Sequence, residues 1–572
     1  MAGAFGKKMK LIHPYEITKE YSHNELEGLN VLFLNMPLRE SALPAVAPEG
    51  PAILAAVLRN FGADVSILDL NAYRINDIQS EHGNLPSGRH LTIKEAEDLF
   101  LQHIGEHGEQ DLIAFSGIIT TLQWQEEMAR IVRRHLPNSF IVSGNGLATE
   151  ISAGLFNWIP DLDAIARSEG DDIILVIAKD AKAIKQNGAQ IALKRGRLSP
   201  YYYGEYEGRH RFVYEGDRPQ NLDEIPYPAW DLLESDCNGN EILENYITTP
   251  LWGLVANNSS ATPFLMKRSL NTVSSRGCPY ACAFCYRGAM GERNYGVRTG
   301  DHLALQMKHY IDKHGVDFIG FLDDNFAVIK ERIEKLPSIF KEHDVAVRWG
   351  THMRMDEADD RVFPMSEAGC VYIGFGAESA HEKTLTTMKK GGFILKRGLE
   401  NICVDGKTYQ FPKTMVDAVR NCHESGIHAN CTWIMGYPGE TLEDLKTSVA
   451  FIKWQQDIIS NGEVPNNCGY DDVKTAINRK MFIATAYPGT DMFKDPSVKS
   501  VLSDKFDITF DKNNEPLCDD AFHNYVLELD DATKVLSGTE GEFINYSEID
   551  NNKFIEANQL IMSGKTEDIL LL

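Results

Sequence analysis

The chain has 572 residues, 43% hydrophobic and 24% charged, a composition of ordinary globular domains with length for about three or four of them. Its 57 basic against 82 acidic residues leave a net charge of −25, which disfavours a nucleic-acid partner, because phosphate binding needs a basic surface, and reads as solubility or a salty habitat. Ten scattered cysteines make no disulfide framework, there is no signal-peptide core and no run of ~18 apolar residues, so a cytoplasmic protein without membrane insertion is expected.

Residues 1–28 read as an N-terminal extension. From Leu29 short apolar strands alternate with amphipathic helices: strands at 31–34, 65–68, 112–115, 140–142 and 164–166, helices at 51–60, 122–135 and 171–178. That alternation predicts an α/β, doubly wound, Rossmann-like domain over 29–184. Ligands of such sheets lie outside the carboxyl ends of the strands. Here those ends read Asn35-Met-Pro37, Asp69-Leu-Asn71, Ser116-Gly117 and Ser143-Gly144-Asn-Gly146, small and polar as a ligand rim requires. Plain βα turn chemistry is the other reading of these residues.

Residues 185–270, with Tyr201-Tyr-Tyr-Gly204 and the proline-rich 218–230 stretch, break the rhythm and are expected to form an ordered connector. A second βα series occupies 271–494. It begins with the run Thr272-Val-Ser-Ser275, then strands at 318–322, 345–349, 371–375, 429–435 and 481–486 alternate with helices. Six units are too few for an eight-fold barrel and predict a partial (β/α)6 barrel open on one side. The 391–412 stretch is an insertion whose Lys396, Arg397 and Lys407 are either contacts for an anionic substrate or solvated loop charges. The tail, 495–572, has no clear period and is expected to form a small cap.

Cys278-Pro-Tyr-Ala-Cys282-Ala-Phe-Cys285 sets three cysteines in eight residues just after the first strand of that series. Iron–sulfur cubanes are usually held by four thiolates. Three in one tight loop leave one iron without a protein ligand, and an open position is how a metal site keeps room for a substrate. A zinc loop is the alternative, but zinc usually takes a fourth Cys or His in C-x2-C pairs. The histidines show no metal-ligand spacing.

This C-x3-C-x2-C spacing, with Phe284 before the last cysteine, resembles the cluster loop of the radical S-adenosylmethionine superfamily. Phe321-Leu-Asp-Asp-Asn-Phe326, Gly374-Phe-Gly-Ala-Glu-Ser379, Trp433-Ile-Met-Gly-Tyr-Pro-Gly-Glu-Thr441 and Ala486-Tyr-Pro-Gly-Thr490 resemble later strand ends of the same family, in order. The stretch from Ala47 to Asn71 resembles the opening of the cobalamin module of its cobalamin-binding class. The resemblance implies a [4Fe-4S] cluster on Cys278, Cys282 and Cys285, with S-adenosylmethionine on the open iron. It places Phe284 against adenine, with Glu378 and Ser379 on the ribose or polar end. Gly436 and Pro438 then approach the base, and Asp323, Asp324 and Arg354 are further polar candidates. Strand-end caps or surface ion pairs are the bland reading of those last three. Cobalamin is expected on the rim of Ser116, Gly117, Ser143, Gly144 and Gly146. Family members that ligate cobalt from below use D-x-H-x-x-G; here Asn71 stands at the histidine position, so no imidazole reaches cobalt from there.

The resemblance implies a radical methyltransferase acting on an unactivated carbon or phosphorus of a small-molecule substrate, through a 5′-deoxyadenosyl radical and methylcobalamin. Its electron would come from a flavodoxin- or ferredoxin-type donor. A non-methylating relative that forms or contracts rings in a tetrapyrrole, lipid or antibiotic precursor is the alternative enzyme. An iron–sulfur or zinc-stabilised binding protein without turnover is the alternative of another class.

Overall fold

The computed structural model describes residues 22–38, 44, 46–82, 85, 88–187, 200–216, 218–219, 221–248, 266–286, 295–461, 481–529 and 544–572. Residues 1–21 of the expected extension, and 249–265 of the expected connector, lie outside this set. The chain divides into two compact units, Met1–Tyr246 with Ile508–Asp511 and Pro516–Asp531, and Ile247–Asp507 with Lys512–Glu515 and Ala532–Leu572.

The first unit is built on a seven-stranded sheet of β1 (Asn30–Asn35), β2 (Asp64–Asp69), β3 (Leu112–Ser116), β4 (Phe140–Gly144), β5 (Ala164–Arg167), β6 (Tyr201–Tyr206) and β7 (Arg209–Glu215). Their order is β2-β1-β3-β4-β5-β7-β6, with β6 antiparallel to β7 and every other pair parallel. Val31–Leu34 and Leu112–Phe115 are buried throughout, as strands covered on both faces by helices must be. The helix Leu122–His135 buries Leu122, Met128, Ala129 and Val132 and ends on Arg133, Arg134 and His135, cations that suit a helix carboxyl terminus. The strand order reverses between β1 and β3, the crevice where open α/β sheets take ligands.

Residues 200–246, in the stretch read as a connector, group with this unit. β7 continues the sheet in register with β5, Ala164 opposite Phe212. Leu222 and Ile225 pack on Ile53, and the Ala229 amide bonds the Ala52 carbonyl at 3.0 Å. The helix Asp520–Glu528, from the expected cap, also belongs here: His523 bonds Glu126 at 2.5 Å. Its distance along the chain hides that partner from sequence periodicity.

The second unit holds six parallel strands: β8 (Ser269–Thr272), β11 (Phe318–Phe321), β12 (Arg348–Met353), β13 (Cys370–Glu378), β16 (His428–Met435) and β17 (Met481–Ile483). They lie side by side in chain order, β8-β11-β12-β13-β16-β17, the topology of a partial barrel. A ribbon of β9 (Ser275–Arg276) and β10 (Gly296–Val297) flanks the cysteine loop, and β14 (Leu399–Val404) with β15 (Lys407–Pro412) forms a hairpin.

Two strands begin elsewhere than the apolar runs suggested. β8 is Ser269–Thr272, not Thr272–Ser275, and β12 is Arg348–Met353, not 345–349. β8 carries the buried polar residues Ser269, Asn271 and Thr272, and β12 turns His352 into a lined interior, so a hydrophobicity pattern undercounts them. The 391–412 insertion is a short helix, Gly391–Ile394, followed by the β14–β15 hairpin, turned at Asp405-Gly406 with both φ values positive, as two-residue hairpin loops prefer. Its Phe411 packs on Phe451 and Trp454, its Lys407 pairs with Glu443, and Arg397 pairs with Asp417. Among the described residues no helix is long and apolar enough to cross a membrane.

Candidate functional site

Side chains alternate across a strand, so one face of β13 presents Tyr372, Gly374, Gly376 and Glu378 to the barrel interior. Together with His352 and Arg354 from β12 and Asn430 and Thr432 from β16, they line a cavity whose upper wall is Cys278, Cys282, Cys285, Tyr280 and Phe284. The cavity holds about 200 Å³, the share of roughly seven waters at ~30 Å³ each, which is room for a multi-atom group. A Cβ at Gly374 would meet the His352 ring at 2.5 Å, and one at Gly376 would collide with the Glu378 carboxylate. These glycines make space for polar side chains.

Among the described residues no group of three or more His, Cys, Asp or Glu side chains closes on one metal ion. The three cysteines instead share a cavity wall, which suits a cluster better than a lone zinc ion needing four tight ligands. Burial pushes the Cys278 thiol up, with Asp324 and Cys282 adding to it.

Arg354, at the end of β12, binds the cysteine loop to the barrel. Its Nη1 donates to Cys282 Sγ at 3.5 Å, its Nη2 to the Lys390 carbonyl at 3.4 Å and its Nε to Asp356 at 2.8 Å. The guanidinium lies 3.9 Å from the Tyr280 ring centre, a cation–π stack on a residue of the loop itself. Tyr280 in turn donates to Glu357 at 2.8 Å, and Asn325 donates to the same carboxylate oxygen at 3.0 Å. Burial pushes both the Tyr280 hydroxyl and the Glu357 carboxyl up.

Glu378 ends β13 with φ +64°, where the pairing with β16 shifts register. A side chain in that left-handed region costs on the order of 1 kcal/mol. Its Oε1 accepts from Lys390 Nζ at 2.9 Å, and the two side chains are 11% and 5% exposed. Lys390 also stands 5.8 Å from the Phe284 ring centre, and Phe284 meets Tyr437 edge-on.

Other expected residues have different surroundings. Asp323 is buried beneath the loop, accepting from the Ser274 amide and from the Ser274 and Ser275 hydroxyls, while Asp324 lines the cavity. Burial pushes the Asp323 carboxyl up in spite of those bonds. The Ser379 hydroxyl shares a hydrogen bond with Ser448 at 3.2 Å and accepts from the His381 amide, so it fastens the turn after β13. Gly436 and Pro438 are buried at the end of β16 and do not line the cavity. Gly436 has φ +84°, and a Cβ there would meet the Phe554 ring at 2.7 Å. Its close approach is therefore to an aromatic of the C-terminal segment.

The Gly436 amide donates to Glu440 Oε2 at 2.7 Å. Burial pushes this carboxyl up to about 8 from an ordinary 4.5. The folded state then keeps a proton that the unfolded chain releases, so the stability this adds is full below about pH 4.5 and is lost as pH rises through about 8. Glu440→Gln keeps an acceptor for Gly436 and removes the titration. Wild-type thermal stability is expected to fall relative to this variant between about pH 5 and 8, with a slope of at most ~1.4 kcal/mol per pH unit. Melting curves across that range check it.

In the first unit, Asn71 is buried, its Oδ1 accepting from the Leu38 amide at 3.0 Å and its Nδ2 donating to the Tyr246 hydroxyl at 3.3 Å. Tyr246 donates to Asp69 at 2.6 Å, and Asn35 donates to the other Asp69 oxygen at 2.8 Å. Asn71 thus ties together the rim beside β1. Ser116 accepts from Asn145 at 3.3 Å, and Ser143 is fully buried and donates to Gln125 at 2.7 Å. A Cβ at Gly117 would meet the Gln125 amide at 2.8 Å, whereas one at Gly144 or Gly146 meets nothing nearer than 3.5 Å. Small residues thus stand at the strand ends beside the β1/β3 reversal, and Asn71 there is engaged with Leu38 and Tyr246.

Lys390, Tyr280, His352, Met353, Tyr372, Asn430 and Thr432 are the cavity residues that the motifs did not single out. The period-two spacing from Tyr372 to Glu378 would have found Tyr372. Lys390 stands in Met388-Lys-Lys-Gly-Gly392, which reads as a surface turn until the fold buries one of its two lysines.

Residues 272–452 match the family described as the Radical SAM superfamily. A protein of Pyrococcus horikoshii named as the uncharacterized methyltransferase PH0819 is 25% identical over 482 residues, covering 81% of this chain and 82% of its own length. The anaerobic magnesium-protoporphyrin IX monomethyl ester cyclase of Cereibacter sphaeroides is 24% identical over 362 residues, 61% of this chain and half of that protein. Among solved structures, the cobalamin-dependent S-adenosylmethionine radical enzyme OxsB, with aqua-cobalamin and S-adenosylmethionine bound, is similar with a TM-score of 0.60 at 15% identity, over 94% of this chain and 67% of its own. Residues 272–452 thus carry a radical S-adenosylmethionine domain, and the fold over most of the chain is similar to that of a cobalamin-dependent radical enzyme.

Proposed function

We propose that this chain is a cobalamin-dependent radical enzyme that transfers a methyl group to an unactivated carbon or phosphorus of a small molecule. The observation that carries the reading is the single cavity shared by Cys278, Cys282, Cys285, Glu378 and Lys390 at the carboxyl face of a parallel half-barrel. Cys278, Cys282 and Cys285 would hold a [4Fe-4S] cluster by three irons. Lys390 and Glu378 offer one positive and one negative group to the carboxylate and the ammonium or ribose of S-adenosylmethionine, and Phe284 offers its ring. The rim of Ser116, Gly117, Gly144 and Gly146 would face the corrin. When bound, these cofactors supply a 5′-deoxyadenosyl radical and a methyl donor. The chain's own part is to orient them, with Arg354 and Tyr280 holding the cysteine loop against the strand ends. The reducing electron would come from a flavodoxin- or ferredoxin-type protein.

A second reading, ring formation on a tetrapyrrole or similar precursor, is favoured by the likeness to the cyclase of Cereibacter sphaeroides. Anaerobically reconstituted protein given dithionite and methyl-labelled S-adenosylmethionine tests both. Label in a product of candidate substrates supports methylation, and 5′-deoxyadenosine with no label transferred supports the second reading. No 5′-deoxyadenosine at all would mean a binding protein without turnover.

A further inference from the structure

Arg354 places a permanent, buried positive charge beside the middle cysteine of the loop. Each nitrogen of its guanidinium has a separate partner: Asp356 on Nε, the Lys390 carbonyl on Nη2 and Cys282 Sγ on Nη1. Tyr280 covers its face at 3.9 Å, and the Arg354 and Asp356 side chains are 8% and 6% exposed. The fork cannot swing away from the sulfur without breaking the carboxylate bond, the carbonyl bond or the stack. A structural tie between β12 and the loop would need only the stack and the carbonyl bond. Aiming Nη1 at a sulfur adds something a tie does not require.

A hydrogen bond and a positive charge at a ligating sulfur favour the more negative state of an iron–sulfur cluster, and both act strongly where water is scarce. We infer that Arg354 is a positioning residue that raises the reduction potential of the cluster held by Cys278, Cys282 and Cys285, through its hydrogen bond to the Cys282 sulfur. The inference rests on the proposed function for the presence of that cluster. The step it eases is the one-electron reduction of [4Fe-4S]2+ to [4Fe-4S]+. The electron comes from a low-potential one-electron donor, dithionite in the test, and no bond is broken and no proton moves. Lysine keeps the charge but lacks the fork that reaches three partners at once.

The test is a potentiometric titration of the anaerobically reconstituted full chain, followed by electron paramagnetic resonance of the reduced cluster, without S-adenosylmethionine or cobalamin. Wild type is compared with Arg354→Met, Arg354→Gln and Arg354→Lys, and iron per chain is measured in each. In the Met variant the ratio of reduced to oxidised cluster at a fixed potential is expected to fall about tenfold, a midpoint more negative by about 59 mV, with the Lys variant between the two. A Met or Gln variant with wild-type iron and an unshifted midpoint overturns the inference. Loss of iron from all three variants overturns it as well, because cluster assembly then explains the residue. A wild-type chain with no reducible cluster overturns the function reading itself, whereas a wild-type cluster with unshifted variants overturns only the role of Arg354.

Discussion

Cys282→Ala is expected to reduce 5′-deoxyadenosine formation to background. Its sulfur is one of the three that share the cavity and the one that Arg354 addresses. Two remaining thiolates cannot hold a cubane that usually takes four ligands and here has three. Iron should fall from about four per reconstituted chain to below about one. Cys403→Ala is the matched control, since Cys403 is exposed on the β14–β15 hairpin and does not line the cavity. It should keep wild-type iron and wild-type cleavage. Iron analysis and chromatography of the nucleoside product check both, and cleavage by Cys282→Ala would sink the cluster assignment.

Lys390→Met is expected to destabilise the second unit by about 3 kcal/mol, because it leaves the Glu378 carboxylate buried without its cation. The pair is 2.9 Å apart, and its two side chains are almost wholly enclosed. Removing both charges, in Glu378→Gln with Lys390→Met, should recover most of that loss, since the desolvation cost disappears with the pair. Hydrogen exchange of the β13 amides reads the stability of this region directly. If Lys390 and Glu378 also meet S-adenosylmethionine, the double variant will regain stability and still bind it weakly. That split separates a ligand contact from a structural ion pair. Equal loss in the single and double variants would mean the pair is not the source of the effect.

Much of this architecture is legible in the chain itself. The central strands β1 and β3 of the first unit are short apolar runs because both faces are covered, and such runs stand out from the polar helices between them. The cysteine loop is legible for a different reason: its three donors lie within one turn of chain, so their proximity needs no fold. Arg354, Glu378 and Asp324 could be placed as strand-end residues because a βα barrel gathers its functional groups at one face.

Other features were hidden. β12 began three residues later than its valines suggested, because His352 faces a lined interior and the neighbouring Thr351 is a polar residue buried on the opposite face. Asp323, Ser379 and Gly436 carry motif positions, yet the fold occupies them with Ser274, Ser448 and Phe554. Lys390 was hidden for the opposite reason, since a lysine between a lysine and two glycines reads as solvent-exposed.

By itself, then, the sequence determined the two βα series, the cluster loop and the missing imidazole at Asn71, all set by local pattern or by residues close together in the chain. The tertiary structure alone decided the ion pair of Glu378 with Lys390, the reach of Arg354 to Cys282 across 72 positions, and the closing of Gly436 by Phe554. Those contacts join residues that no periodicity relates. Each depends on which of several equivalent strand-end side chains the packing turns inward.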